Sequence, residues 1–207
     1  MSAPKQNPPA TVPGKTTIKK SKTAQLDVDV AAEILADGTS TDASVVGHTS
    51  YTADGAWPDG SGGTVFFQVP GYSLTQKGAL EVIDKLNGPV EIKGIVKILT
   101  VYGPNASATQ DSAYGRGTTP PDESAGNITL GFHESCHRAD FLTYLKTKAL
   151  PVFGGKVGQT AQQYDLAIAT FGTAVDKYFA DMDKDSFLRT DEVGYKSSTY
   201  DANGPRP

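Results

Sequence analysis

Residues 131–140 read GFHESCHRAD and place two of the chain's three histidines four positions apart, with a glutamate between them. On an α-helix, positions i and i+4 share one face, so His133 and His137 can bind a single metal ion. Glu134 is displaced from the first ligand by about 100° around the helix. It therefore flanks the metal and can act as general base toward a water that a zinc ion activates.

The sequence around this motif favours a helix over residues 128–148. Asn127 is a good N-cap, apolar side chains recur at helical spacing, and no proline occurs before Pro151. A second amphipathic helix is predicted over residues 159–182. The alternative interpretation of the motif is that two surface or core histidines happen to frame a glutamate, and the sparing use of histidine weighs against it.

The N-terminal half has the pattern of a β-rich region. Residues 26–30 alternate as a half-buried strand should, and residues 64–69 and 90–102 are strand candidates. Residues 74–87 are predicted to form a short helix. With 207 residues and 38% hydrophobic composition, the chain supports a single α+β domain over residues 25–207, with two long helices packed on the β-rich half.

The motif resembles the active-site helix of the zincin metallopeptidases. The resemblance implies a helix packed under a small twisted sheet, a substrate lying along the edge strand, and hydrolysis of an amide bond. The expected substrate-binding edge is residues 90–102 or residues 114–119. A weaker likeness, to secreted bacterial zinc peptidases with a Tyr-Asp pair near a glycine after the helix, rests on residues 200–204.

The third metal ligand is left open by the sequence. No histidine follows His137, so the ligand is a carboxylate or the upstream His48. Asp140 comes seven residues after His133, nearly two turns, and lies on the same helix face. It can bind the metal, orient an imidazole, or be an ordinary surface aspartate.

Further candidates lie toward the C-terminus. Residues 172–178 resemble the Gly-Thr-x-Asp-x-x-Tyr element of the aspzincins, with Asp176 shifted by one position, and this resemblance makes Asp176 a candidate ligand. Asp191 is another candidate, with Glu192 beside it. Stabilisation of the oxyanion needs a tyrosine or an arginine, and the tyrosine candidates are Tyr178, Tyr195 and Tyr200.

Residues 181–192 also match the spacing of a calcium-binding EF-hand loop. Asp181, Asp183, Asp185 and Glu192 occupy positions 1, 3, 5 and 12. Ser186 stands where the loop needs glycine, and no second loop is present in the sequence. The alternative is that these acids form a solvated helix end.

Charge is unevenly distributed along the chain. Residues 1–24 contain five lysines and no acid, while the remaining residues carry a net charge of −9. The N-terminal segment is predicted to be a disordered basic tail, and it lacks the apolar core of a usual signal peptide. It is a candidate export or loading signal for a bacterial secretion or injection apparatus, or else a solubilising linker on a cytoplasmic protein. The acidic remainder disfavours nucleic-acid binding, and no apolar run is long enough for a membrane span.

Cys136 is the only cysteine, so no disulfide forms within the chain. We interpret it as a small core residue, because neighbouring helix positions do not face each other as a cysteine–histidine pair would need.

These patterns predict a zinc-dependent hydrolase, most readily a metalloendopeptidase that cleaves a protein or peptide and that could serve as an exported effector or toxin. Peptide cross-links of bacterial cell walls are a related substrate. A different class is a non-catalytic binding or cargo protein that zinc or calcium stabilises.

Overall fold

A computed structural model describes residues 12–57 and 66–194 of the chain. These residues form a mixed α+β structure with a main sheet, a separate hairpin and three helices. The elements are β1 (Gly14–Lys22), β2 (Leu26–Ile34), β3 (Gly38–Thr39), β4 (Gly47–Gly55), β5 (Phe67–Gln68), β6 (Tyr72–Lys77), β7 (Leu80–Leu86), β8 (Val90–Tyr102), α1 (Pro120–Ala125), α2 (Leu130–Thr147) and α3 (Ala161–Thr190).

β8 is the central strand of the main sheet. It pairs in parallel with β2 and β3 along one side and antiparallel with β4 and β5 along the other. Its side chains alternate between buried and half-buried along all thirteen residues, which confirms the strand predicted over 90–102. The prediction that this strand supplies a substrate-binding edge is wrong, because both of its sides are already hydrogen-bonded.

The two long helices pack together and cover one face of the sheet. The core joins their apolar side chains, including Phe141, Phe171 and Met182, to buried strand residues such as Ile92 and Ile98. α2 confirms the predicted helix, although its N-cap is Thr129, whose hydroxyl accepts from the Phe132 amide. The second predicted helix is also present and extends eight residues further, to Thr190.

Residues 74–87 do not form the predicted helix. They belong to the antiparallel hairpin β6–β7, in which Tyr72 pairs with Leu86 and Lys77 with Leu80. Gly78 opens the two-residue turn with φ +64, a conformation that favours glycine and suits a tight hairpin. The glycine in the middle of the segment was the signal against a helix.

The N-terminal segment is not a disordered tail throughout. Residues Gly14–Lys22 form β1, which pairs antiparallel with β2. Ile18 packs against the core, and the exposed lysines suit a strand at the edge of a sheet. Pairing with β2 thus outweighs the weak strand propensity of this lysine-rich segment. The domain therefore begins before residue 25. Residues 1–11 of the predicted tail lie outside the described residues.

Two further expectations are met in part. The strand predicted over 64–69 appears as Phe67–Gln68, and residues 64 and 65 lie outside the described part of the chain. Within residues 12–57 and 66–194, no helix is both long and apolar enough to cross a membrane.

Candidate metal centre

α2 presents its two histidines side by side on the face that meets α3. The imidazole centroids of His133 and His137 are 5.0 Å apart, as the i, i+4 spacing predicts. His133 is almost fully buried, with 1% of its surface exposed, and His137 is half-buried. The pair therefore stands in a largely water-excluded position.

Asp191, at the C-terminal end of α3, completes a group of three. Its Oδ1 lies 3.1 Å from Nε2 of His133 and 3.3 Å from Nε2 of His137. One ligand atom from each residue lies within 4.8 Å of the others. Among the three carboxylates that the sequence offered as ligands, Asp191 is the one that the structure brings to the histidines.

The Nδ1 atom of each imidazole is hydrogen-bonded to an oxygen atom of the protein. Nδ1 of His133 lies 3.1 Å from the carbonyl oxygen of Arg116, and Nδ1 of His137 lies 2.8 Å from Oγ of Ser186. A carbonyl only accepts, so Nδ1 of His133 carries a proton. In the neutral ring, the lone pair of Nε2 then points toward the carboxylate of Asp191.

This arrangement calls for a positive charge between the three residues. Two acceptors that face each other at 3.1 Å repel unless a proton or a cation lies between them. Carbonyl and hydroxyl partners at Nδ1 are also what orient metal-binding histidines. The three residues therefore fit a metal ion, with two nitrogens and one carboxylate as ligands.

In the metal-free protein, protons can serve in place of the ion. Burial alone would raise the pKa of Asp191, yet its bonds to His133 and His137 and the charge of the imidazoles lower it to about 2. Burial alone would lower the pKa of His137, but the bond to Asp191 and the nearby carboxylates raise it above its ordinary value. The site thus favours a cation next to an ionised carboxylate.

A tight loop holds the third ligand beside the first. Gly115 has φ +63, and a Cβ there would lie 2.2 Å from the carbonyl oxygen of Thr190 and 2.8 Å from Cε1 of His133. Only glycine fits this position. The backbone amide of Arg116 donates to the same Thr190 carbonyl at 2.7 Å, and the backbone carbonyl of Arg116 accepts from Nδ1 of His133. The loop therefore bridges α2 and the end of α3.

The loop is fixed in turn by the buried carboxylate of Asp122 in α1. Asp122 accepts two bonds from the guanidinium of Arg116, at 2.9 and 2.8 Å, and one from the amide of Gly117. Burial raises the pKa of Asp122, but these bonds outweigh it and lower the pKa below its usual value. Residues 114–119 thus act as a scaffold for the metal centre, and they do not form the substrate-binding edge expected from the sequence.

Glu134 is buried beside the outer strand β4 and is oriented by a chain of donors. Oγ1 of Thr49 donates to Oε2 of Glu134 at 2.6 Å. Thr100 lies 2.6 Å from Thr49 and accepts from Nε of Arg138 at 2.7 Å. Because arginine only donates, the order runs Arg138 to Thr100 to Thr49 to Glu134. The carboxylate is thereby an acceptor at Oε2, which offsets the cost of burying its charge.

The triad and Glu134 share an open cleft of about 260 Å³. Gly47 in β4 borders it, and a Cβ there would lie 2.5 Å from Oε1 of Glu134. The aromatic rings of Phe141 and Phe187 form the apolar part of the wall. The polar side chains that line the cleft besides the triad and Glu134 are His48, Thr49, Tyr114 and Asp183.

Asp140 is not part of the ligand group. Its Oδ2 accepts from Oγ1 of Thr190 at 2.8 Å, and burial raises its pKa above its usual value. Thr190 immediately precedes Asp191, so Asp140 holds the end of α3 in place. Of the roles that the sequence left open for Asp140, the structure places it outside the group that could hold a metal, and its position on the ligand face is used to anchor Thr190 beside Asp191.

The remaining candidates are placed elsewhere. Asp176 is exposed on α3 and outside the metal-binding group, so the shifted aspzincin element does not supply the ligand. His48 lines the cleft without joining the group. Tyr178 is buried in the core against Tyr144 and does not line the cleft. The other two tyrosine candidates, Tyr195 and Tyr200, lie outside the described residues.

Of the two interpretations of residues 181–192, the structure contradicts the calcium loop and agrees with the helix end. α3 is continuous to Thr190, so Asp183 points about 200° away from Asp181, to the other side of the helix, and the three aspartates cannot surround one ion. Asp181 pairs with Lys177 and Asp185 with Arg189, both at i, i+4 spacing. Glu192 follows the end of the helix. These ion pairs, with no proline or glycine between Asp181 and Thr190, explain why the helix continues through this segment.

Sequence reasoning missed the residues that support the ligands. In the sequence, Ser186 stands out only as a poor fit to a calcium loop, yet its hydroxyl bonds to Nδ1 of His137. Thr49 and Arg116 lie far from the motif in sequence, and neither carries a local signal. Cys136 is half-buried, and burial raises the pKa of its thiol to about 12, so it is not a thiolate nucleophile at neutral pH.

Comparison of the chain with family models, with curated proteins and with solved structures finds no match.

Proposed function

We propose that this protein is a zinc-dependent hydrolase of the zincin type, most readily a metalloendopeptidase. The observation that carries the proposal is the buried group of His133, His137 and Asp191, with both imidazole Nδ1 atoms bonded to oxygen. Two histidines and one carboxylate are a usual protein ligand set of catalytic zinc, which keeps one further position open for water or substrate. The open cleft beside the group is consistent with that requirement.

The bound zinc would act as a Lewis acid and lower the pKa of a coordinated water toward about 7. Glu134 is proposed to accept a proton from the attacking water and later to deliver it to the leaving amine. Its Oε2 is occupied by the Thr49 hydroxyl, which leaves Oε1 to exchange that proton. Tyr114 and His48 line the cleft and are candidates to donate a hydrogen bond to the oxyanion.

The outer strand β4 supports an extended peptide as substrate. Among the described residues, β4 forms its ladder with β8 alone, and its Gly47–Thr49 end borders the cleft. A peptide added along the other side of β4 would gain main-chain hydrogen bonds and pass beside Glu134. Export as an effector is a separate proposal that rests on the basic N-terminal segment, although four of its five lysines lie in β1 and only Lys5 precedes the described residues.

The test compares three proteins purified without a metal-affinity column: wild type, Glu134→Gln and His137→Ala. We expect near-equimolar zinc by mass spectrometry in the first two and none in the third. Wild type should cleave unfolded protein substrates such as casein, and Glu134→Gln should be slower by about 10²- to 10⁴-fold, since a general base contributes that much.

The outcomes separate the two classes of function. Zinc in the wild type without hydrolysis of any peptide or cell-wall substrate would favour the non-catalytic metal-stabilised protein. Wild type that stays metal-free after dialysis against zinc would refute both the hydrolase and the zinc-stabilised alternative. Equal hydrolysis by wild type and Glu134→Gln would remove Glu134 from the mechanism.

A further inference from the structure

A second concave site lies on the helix side of the sheet and shares no lining residue with the metal cleft. It has a volume of about 630 Å³, and we call it the β1 groove. Its walls come from β1, from the first residues of β2 and β8, from the connection between α2 and α3, and from α3 itself. The residues that define it here are Ile18, Lys19, Val28, Ile92, Leu150 and Phe171.

The interior of the β1 groove is apolar. Val28, Ile92 and Phe171 belong to the main hydrophobic core, so the groove is an open extension of that core. Two large apolar side chains at its border are exposed to solvent, Leu26 at 38% and Val152 at 90%. A cavity of this size is typical of sites that enclose a small organic ligand. An apolar ligand would remove both the groove and its border from water.

The charge of the β1 groove is positive. Lys19 and Lys20 line it, and no acidic side chain among the described residues does so. The ammonium of Lys19 donates to the carbonyl oxygens of Leu145 and Lys146 at the end of α2, at 2.5 and 3.3 Å. An ammonium has three donors, so one remains for a ligand. Lys20 is paired with Asp29 on the exposed surface at 3.1 Å.

We propose that the β1 groove binds a single-chain anionic amphiphile, a monomeric long-chain carboxylate. The alkyl chain would occupy the apolar interior, and the carboxylate would accept a charge-assisted hydrogen bond from Lys19. The chain's own first eleven residues are a poor alternative occupant, because Met1 is their only large apolar side chain. This ligand site is independent of the metal centre.

The test is isothermal titration of the full-length protein with dodecanoate below its micelle concentration. We expect saturable one-to-one binding, and roughly fourfold tighter binding for each added methylene from octanoate to dodecanoate, since each buried methylene contributes about that factor. The Lys19→Gln/Lys20→Gln variant should bind about tenfold more weakly. The side-chain amide introduced at position 19 can still donate to the α2 carbonyls, so the fold should be kept.

Ser21→Trp gives a variant that fills the β1 groove from an exposed position, and it should abolish binding while the circular dichroism spectrum is unchanged. Affinity independent of chain length, or equal affinity for dodecyltrimethylammonium, would overturn the proposal. Absence of dodecanoate binding would also overturn it. In that case, a dimer that Ser21→Trp dissociates would identify a second copy as occupant, and binding to anionic vesicles alone would identify a membrane surface.

Discussion

The two long helices contribute to the candidate metal centre in different ways. α2 supplies His133 and His137, whose separation is set by the period of the helix. α3 supplies Asp191 just after its last turn, where the position depends on contacts with Asp140 and with the loop at Gly115. The ligand pair is thus a local feature, and the third ligand is a product of packing. Mutations of residues that only hold the end of α3 in place should therefore lower the metal affinity, even though they leave all three ligands unchanged.

The largest effect should come from removing the α3 ligand. Asp191→Ala leaves two imidazoles without a carboxylate, and zinc affinity should fall by more than about 100-fold, beyond the usual cost of losing an outer-sphere partner. Zinc competition with a chromogenic chelator measures it. Asp176→Ala, an exposed aspartate on the same helix, is the matched control and should bind zinc as wild type does. Equal affinities would make Asp191 dispensable.

A smaller effect should come from the contact that holds the end of α3. Thr190→Val keeps the shape of the side chain but removes the hydroxyl that donates to Asp140. We expect zinc affinity to fall by about 10- to 100-fold, the range for residues that orient ligands. Thr190→Ser keeps the hydroxyl and should restore most of the affinity. Similar losses in both variants would point to packing of the methyl group instead of the hydrogen bond.

The support of Glu134 from β4 should affect stability and catalysis without affecting metal binding. Thr49→Val removes the donor to Glu134 and the acceptor for Thr100, and leaving such buried groups unpaired costs about 1–3 kcal/mol. Urea denaturation of the zinc-loaded protein should detect this loss, with zinc affinity unchanged. Thr49→Ser is the control that keeps both bonds. Lower zinc affinity in Thr49→Val, but not in Thr49→Ser, would contradict the prediction and show that β4 also helps to position the metal ligands.

The smallest effect concerns the pH dependence of the metal-free protein. The raised pKa of His137 means that its protonated form stabilises the fold below about pH 6.5, and that this contribution is lost as the pH rises through the raised value. The lowered pKa of Asp191 gives a contribution that is lost only as the pH falls from 3.8 toward about 2.

Urea denaturation at about pH 5 and about pH 8 measures this dependence. Metal-free protein should be more stable at the lower pH, whereas the extra stability that zinc gives should be greater at the higher pH, because zinc needs neutral imidazoles. In Asp191→Ala, the difference between the two pH values should shrink. Metal-free protein that is more stable at about pH 8 than at about pH 5 would contradict the role of His137.

The sequence predicted the elements that have clear local signals. β8 lies where apolar side chains repeat at strand spacing, and α2 lies where an apolar run without proline surrounds the histidine motif; both are confirmed. The hairpin β6–β7 was missed because its short strands resemble a helix unless Gly78 is recognised as a turn residue. β1 was missed because an edge strand rich in lysine carries little apolar pattern, and its structure depends on its partner β2.

The sequence by itself determined that His133, Glu134 and His137 share one helix, since covalent spacing and the helix period fix their relative positions. It offered Asp140, Asp176 and Asp191 as equivalent carboxylates. Only the tertiary structure distinguished them, because contacts between distant segments fix where each carboxylate lies. The packing of α3 against α2 and against the loop at Gly115 brings Asp191 to the histidines, and it turns Asp140 from a candidate ligand into the residue that holds the ligand's neighbour.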